Sequence, residues 1–233
     1  MSVEHKHVLG HEHEFEPVRG LPEALPAGEQ VLWQGSPDWQ MMARRVFHVR
    51  KLVLYFAALV ALRLAVMMSG TATAQQMAVS ALWMVVLGVT AIGLLTLMAW
   101  LSARATAYTV TDKRVVMRIG IVLTLTFNIP FKRIAAAGLK LDANAKGTGD
   151  LPLTLTGEDR IAWLHLWPHA RPWKLARPEP MLRCVPNAAE VARVLAQAWS
   201  QSTGTAAWAT SFGAEPAAKA RPGAAQQPAL AGQ

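Results

Sequence analysis

His5, His7, His11 and His13 form two H-x-H units, and imidazoles so spaced can bind Zn²⁺ or Ni²⁺. In a polar stretch such units read more simply as a solvated tail, so no metal site is assigned. Trp163, Trp167 and Trp173 stand among His165, His169 and Arg171. Tryptophan and arginine dominate interface energetics. Trp167, Arg171 and Trp173 are therefore a candidate docking edge, and Trp163, alternating with His165, is assigned to the core. Arg44, Arg45, Arg50 and Lys51 precede a long apolar run. Anionic headgroups attract each such charge by about 1 kcal/mol, so lipid-headgroup contact accounts for them. Cations at the edge of an apolar run, and not along a groove, speak against nucleic acid.

Catalytic constellations are missing from the sequence. It holds no phosphate-binding glycine loop, no metalloprotease helix motif and no carboxylate pair in an apolar context. Gly147-Thr-Gly149 is short for a nucleotide fingerprint and suits a hairpin turn. The single cysteine, Cys184, excludes an intramolecular disulfide and a thiolate-only zinc site. The expectation is a protein with no catalytic residue, no cofactor and no metal.

The elements that position these residues begin with segments suited to lipid. Of 233 residues, 52% are hydrophobic and only 16% charged, whereas a soluble domain has about a quarter charged. Leu52–Ser69 carries one charge, Arg63, and Met77–Leu101 carries none. About 20 helical residues cross a hydrocarbon core of roughly 30 Å, so both runs are expected to span. Cations flank the pair on one side only: Arg44, Arg45, Arg50 and Lys51 before it, and Arg104, Lys113, Arg114 and Arg118 after it. Cationic loops resist translocation, so both termini should be cytoplasmic and the Gly70–Gln76 connector periplasmic. Residues 1–30 show no cleavable signal.

Ala57, Ala61 and Ala65 repeat every four residues, and Ala81 and Gly88 lie one heptad apart. Small residues let helix backbones approach closely. The two faces should close the hairpin, or one of them receives a partner helix. Arg63 either snorkels to headgroups or pairs with another chain.

From Ala107 the period changes to two. Tyr108–Val110, Val115–Ile119, Leu123–Ile129, Leu151–Thr156, Ile161–Trp167 and Met181–Val185 read as antiparallel strands. Thr111–Lys113, Gly120, Lys146–Asp150 and Gly157–Asp159 read as turns, and Pro168–Pro180 as an irregular loop. Asn187 with Glu190 suggests a capping box for a helix whose apolar face is Val191, Val194, Leu195, Ala198 and Trp199. The expected fold is a membrane α + β architecture: a two-helix transmembrane hairpin, then a cytoplasmic antiparallel β-barrel plugged by a C-terminal helix. Its parts are an N-terminal segment (1–43), the hairpin (44–104), the domain (105–200) and a disordered tail (201–233).

Tyr108-Thr-Val-Thr-Asp-Lys-Arg-Val-Val116 resembles the first hairpin of bacterial PH-like domains. Gly28-Glu-Gln-Val-Leu-Trp-Gln-Gly-Ser-Pro37 is similar to the segment that precedes the spans in many such proteins. Phe15-Glu-Pro-Val-Arg-Gly-Leu-Pro-Glu-Ala-Leu-Pro26, Phe47-His-Val-Arg-Lys51 and Asn128-Ile-Pro-Phe-Lys132 resemble the PuhB family of photosynthetic-complex assembly proteins of purple bacteria. The resemblance covers about Phe15 to Trp199. It implies a non-enzymatic assembly factor of the inner (intracytoplasmic) membrane, helping the reaction centre form with its core light-harvesting antenna. It brings no catalytic residues. His48 stands where an imidazole could ligate a chlorophyll magnesium, but among arginines at an interface it reads better as polar anchoring.

Expected partners are reaction-centre and core-antenna subunits or other assembly factors, together with anionic lipids. A homo-oligomer stays open. Partner contact is assigned to Ala57, Ala61, Arg63, Ala65, Trp167, Arg171 and Trp173. The alternative is a general membrane-anchored PH-like module for lipid sensing or scaffolding.

Overall fold

The computed structural model describes residues 20–21, 23, 25–142, 147–156 and 161–204. The four N-terminal histidines, most of the Phe15–Pro26 motif, Lys146, the Gly157–Asp159 turn and the tail from residue 205 lie outside the described residues.

Helices α1 (Trp39–Arg45), α2 (Val49–Met68) and α3 (Ala74–Ala105) follow a first strand, β1 (Val31–Gly35). With 20 and 32 residues, α2 and α3 are about 30 and 48 Å long at 1.5 Å per residue. Both are long and apolar enough to cross a membrane. Thr73 starts α3 with a capping box: Gln76 N–H donates to Thr73 Oγ1, and Thr73 N–H donates to Gln76 Oε1. The helix thus begins inside the stretch expected to be connector.

The hairpin closes on the expected stripe of α3 but not on that of α2. Gly88 is buried against Phe56, where an added Cβ would lie 3.0 Å from the ring. Ala81 is half-buried, but Ala57, Ala61 and Ala65 all face outward. Phe56 is large enough to reach Gly88, so α2 turns its bulky face, and not its small one, toward α3. Arg63 makes a contact that neither alternative named, donating from Nε to Ser80 Oγ at 3.1 Å within the hairpin.

The rest of the chain forms two antiparallel sheets around one core. The first has the order β1-β2-β3-β4, with β2 Ala107–Thr111, β3 Arg114–Ile119 and β4 Leu125–Pro130. In the second, β7 (Gly149–Leu155) pairs with β5 (Ile134–Ala137), β6 (Lys140–Leu141) and β8 (Met181–Val185). A 3₁₀ turn, Phe131–Arg133, carries the chain from one sheet to the other, and no ladder joins β4 to β5 among the described residues. The expected closed barrel is therefore two open sheets.

Inward residues at period two, such as Tyr108, Val110, Val115, Met117, Leu151 and Leu153, meet the apolar face of α5 (Ala188–Thr203). Trp199 completes this packing, donating its indole N–H to the Phe131 carbonyl at 3.1 Å.

Strand β1 shows why two separated motifs belong together. It pairs with β2, with Trp33 opposite Val110. Glu29 grips Arg114 in a fork, Oε1 to Nε at 2.8 Å and Oε2 to Nη2 at 3.0 Å. Asp112 accepts from Gln30 N–H at 3.0 Å. The segment before the helices and the first hairpin after them form one unit.

Other local expectations change. Ile161–Trp167 is no strand: Trp163–Leu166 is a helical turn, α4, with Leu166 in the core and Trp163 only half-buried. Asn187 precedes α5 but sits at φ 49°, ψ 41° and makes no side-chain cap. That helix runs through Gln201 to Thr203, into the stretch expected to be disordered.

Candidate interaction site at the helix–domain junction

The buried face of α1 decides how hairpin and domain are joined. Asp38 starts the helix, its carboxylate accepting from Gln40 N–H at 2.8 Å and Met41 N–H at 3.2 Å. Its own N–H donates to the Cys184 carbonyl on β8 at 2.8 Å. Met41, Met42 and Ala43 pack with Ala99 and Ala103 near the end of α3, and with Phe47 and Cys184. Arg45 then reaches Asp142 at 3.4 Å and Asp150 at 3.6 Å, while Asp150 accepts from Cys184 N–H at 2.8 Å. Arg45 is thus engaged with two carboxylates at the junction. Arg44, Arg50 and Lys51 remain exposed. His48 is exposed in a left-handed conformation at the break between α1 and α2.

A second tie is a buried chain of protons. His169, grouped by sequence with surface candidates, is 1% exposed. Its Nδ1 lies 2.6 Å from the Tyr108 hydroxyl and its Nε2 3.1 Å from Thr106 Oγ1. Arg183 N–H donates to Tyr108 Oη, and Thr106 donates to the Ser102 carbonyl on α3. One assignment satisfies every atom: Tyr108 O–H donates to Nδ1, and Nε2–H donates to Thr106. This requires a neutral ring. Burial, with the Arg183 charge, lowers the His169 pKa to about 3. Burial also raises the Tyr108 phenol far above its usual range. Burial and the nearby Asp150 push the Cys184 thiol up to about 12, which leaves it a poor nucleophile. The arrangement locks sheet to helix.

The candidate docking edge is a held excursion. Ala170 bridges Pro180, and Arg171 N–H donates to the Glu179 carbonyl at 2.9 Å. Burial pushes the Glu179 carboxyl up, but Lys174 at 2.9 Å and Arg171 at 2.7 Å outweigh it and hold the pKa below the usual value. Arg171 therefore braces the loop. At its tip Trp173 is 96% exposed with φ 64°, a strained conformation for a bulky residue. Trp167 lies edge-on to Phe47 at 5.7 Å, seating the base of the loop beside the entry to α2. Of the residues expected to contact partners, Trp167, Arg171 and Trp173 share one loop. Ala57, Ala61 and Ala65 share one outer helix face, with Arg63 held to Ser80.

Sequence reasoning missed Asp38, Asp150, His169 and the Glu29–Arg114 fork. A cap-forming Asp before α1 was the only local signal. The others depend on partners far apart in the chain.

The profile of the bacterial PH domain family matches residues 46–199. A Rhodobacter capsulatus protein, described as an uncharacterized 23.7 kDa protein in the puhA 5′ region, is 38% identical over 188 residues, covering 81% of this chain and 87% of that protein. No solved structure matches.

Proposed function

This chain belongs to the bacterial PH domain family, and from that premise we propose that it is a non-enzymatic, membrane-anchored assembly factor for the photosynthetic reaction centre and its core antenna. The puhA context of the relative and the motif resemblance to the PuhB family support the photosynthetic part. The membrane part rests on the exterior of α2 and α3, where Leu54, Leu62, Leu82, Trp83, Leu87 and Val89 are each more than 60% exposed. Apolar area on that scale needs lipid or protein around it. The cation asymmetry supports a cytoplasmic position for both helix ends that carry the domain.

The outward Ala57/Ala61/Ala65 face carries the assembly reading. It is free of α3 and small enough for a newly inserted helix to pack closely against it. The Trp173 loop offers a second contact to a cytoplasmic-side element of the same complex. Two weak contacts on one tethered chain raise effective concentration while allowing release. The test is deletion of the coding sequence, followed by absorbance spectra of membranes. We expect weakened reaction-centre and core-antenna bands. Normal bands would overturn the assembly role and leave a general membrane-anchored module.

A further inference from the structure

A strand at the edge of a sheet can pair with another chain unless something guards it: a bulge, short length, charge or a cover. Among the described residues, β1 is interrupted by a register shift between Val31 and Trp33. β5 has four residues and a shift between Ile134 and Ala136, and β6 has two residues. On β8 the Cys184 carbonyl is taken by Asp38 N–H. β4 differs from all of these. Its six residues face β3 in an unbroken register, from Arg114 opposite Pro130 to Ile119 opposite Leu125. From Ile121 through Pro130 the chain carries no charge, and its one proline stands at the last position.

The register identifies the backbone groups this edge leaves open. Phe131 N–H donates to the Lys113 carbonyl at 3.1 Å, and an antiparallel ladder alternates between bonded and non-bonded pairs. Val115–Ile129, Met117–Phe127 and Ile119–Leu125 are therefore the bonded pairs. Thr126 and Asn128 belong to the other set and turn both N–H and C=O away from β3. No hydrogen bond to a described residue takes up these groups. The two ends of the edge are unlike. Beyond Leu125 comes the turn tip Ile121-Val-Leu123, in which Val122 is 92% and Leu123 79% exposed. Beside Pro130 stand Lys113 and Lys132, both exposed.

We propose that β4 accepts an extended segment of a partner protein as an added strand, one with carboxylates beside Lys113 and Lys132 and apolar side chains beside Val122 and Leu123. Backbone pairing with Thr126 and Asn128 supplies the attachment, and the unlike ends fix the direction of the segment. A second copy of this chain is a poorer occupant. Two β4 strands paired about a two-fold axis would set each cationic end against the other copy's apolar tip, which complements neither. One added strand covers a small area, which suits a contact made and released. The inference goes beyond the assembly reading and requires neither a photosynthetic partner nor a membrane around α2 and α3.

The test adds a fluorescent peptide to the full chain in detergent. The peptide alternates threonine and valine, with two glutamates at one terminus and two leucines at the other. We expect a rise in its anisotropy, together with slowed hydrogen exchange at the Thr126 and Asn128 amides of the unaltered chain. Asn128→Val keeps the outward N–H and should bind as the unaltered chain does. Asn128→Pro removes that N–H while sparing the ladder to β3, and should weaken binding about tenfold. Lysines in place of the glutamates should weaken it about fivefold, the scale of two exposed ion pairs. Absence of binding, or binding that leaves both amides exchanging as before, overturns the inference without recourse to any variant. Equal binding by Asn128→Pro and Asn128→Val does so too. Equal binding of the lysine peptide overturns the acidic character of the partner. A chain that sediments as a dimer, and as a monomer once Asn128→Pro is introduced, gives the edge to a second copy and overturns the assignment to another protein.

Discussion

In the PH-like domain the least exposed side chains are large ones, among them Tyr108, Phe131, Met117, Leu151 and Leu195. In the helical hairpin the order is reversed. No residue of α2 is buried, and the buried residues of α3 are Gly88, Ala99, Ser102 and Ala103, whereas Leu54, Leu62 and Trp83 point outward. Water drives the first arrangement, because removing apolar area from it contributes about 25 cal/mol per Å². On the proposed reading of α2 and α3 as membrane spans, lipid supplies no such drive between helices, so close approach and a few polar contacts hold the second. Polar groups follow the same division. The domain accounts for the protons of Tyr108, His169 and Thr106 in a dry interior, while α2 and α3 share a single Arg63–Ser80 hydrogen bond. One chain therefore contains two stability regimes, and each can be disturbed separately.

The largest effect should come from His169→Leu. Leucine fills much of the space but leaves the Tyr108 hydroxyl without its acceptor and Thr106 Oγ1 without its donor. Each buried polar group left unsatisfied costs about 1–3 kcal/mol, so for these two we expect a loss of about 2–6 kcal/mol. Chemical unfolding of the full chain in detergent, followed by tryptophan fluorescence, measures it. A loss no greater than that of a surface substitution would show that the domain does not depend on this network.

Acid should reach the same network from another direction. The folded pKa of His169, about 3, lies below its ordinary 6.5. The unfolded chain therefore binds a proton that the folded chain refuses, and stability falls as pH drops below about 6.5. One proton corresponds to about 1.4 kcal/mol per pH unit, or about 2 kcal/mol by pH 5. Glu179, whose pKa is also lowered, adds loss in the same direction at lower pH. His169→Leu should remove most of the slope between pH 6.5 and 5. An unchanged slope would place the titrating group elsewhere.

Gly88→Leu addresses the other regime. A side chain there meets Phe56 within 3.0 Å of its first carbon, and overpacking of this kind costs about 1–3 kcal/mol. Cross-linking between cysteines placed on α2 and α3 should become weaker while the domain unfolds as before. A simultaneous loss of domain stability would mean that the two regimes are coupled through α1.

What sequence could reveal follows the same boundary. Long apolar runs announce themselves residue by residue through length and composition, and α2 and α3 were legible for that reason. Alternation made β2, β3, β7 and β8 legible in the same way. The orientation of Ala57, Ala61 and Ala65 was not, since it depends on which of two faces fits Gly88, a property of a pair of helices. Ile161–Trp167 alternates like a strand, yet Leu166 is drawn into the core beside Ile119 and Ala170, and a helical turn delivers it there. Strand β1 is as long as β2, but its partner lies beyond both helices, and the Glu29–Arg114 fork beside it joins residues 85 apart in the chain. His169 carried no sign of burial, because it sits in a loop while its partner Tyr108 lies on β2 and Thr106 at the end of α3.

The smallest effect should belong to Ser80→Ala. It removes the acceptor of Arg63 Nε, 3.1 Å away, yet Arg63 is exposed on the hairpin and lies only about 9 Å along the helix from Ser69 by the helical rise. A long guanidinium side chain can cover that distance to the headgroups when its partner is lost. Hydrogen bonds between membrane helices contribute about 0.6 kcal/mol on average, and we expect a loss of that size in the cross-linking equilibrium between α2 and α3. Arg63→Leu should then act no more strongly on hairpin closure, since both substitutions delete the same bond. A much larger effect of Arg63→Leu on recovery of a photosynthetic complex than on closure would show that the guanidinium serves a partner as well as Ser80.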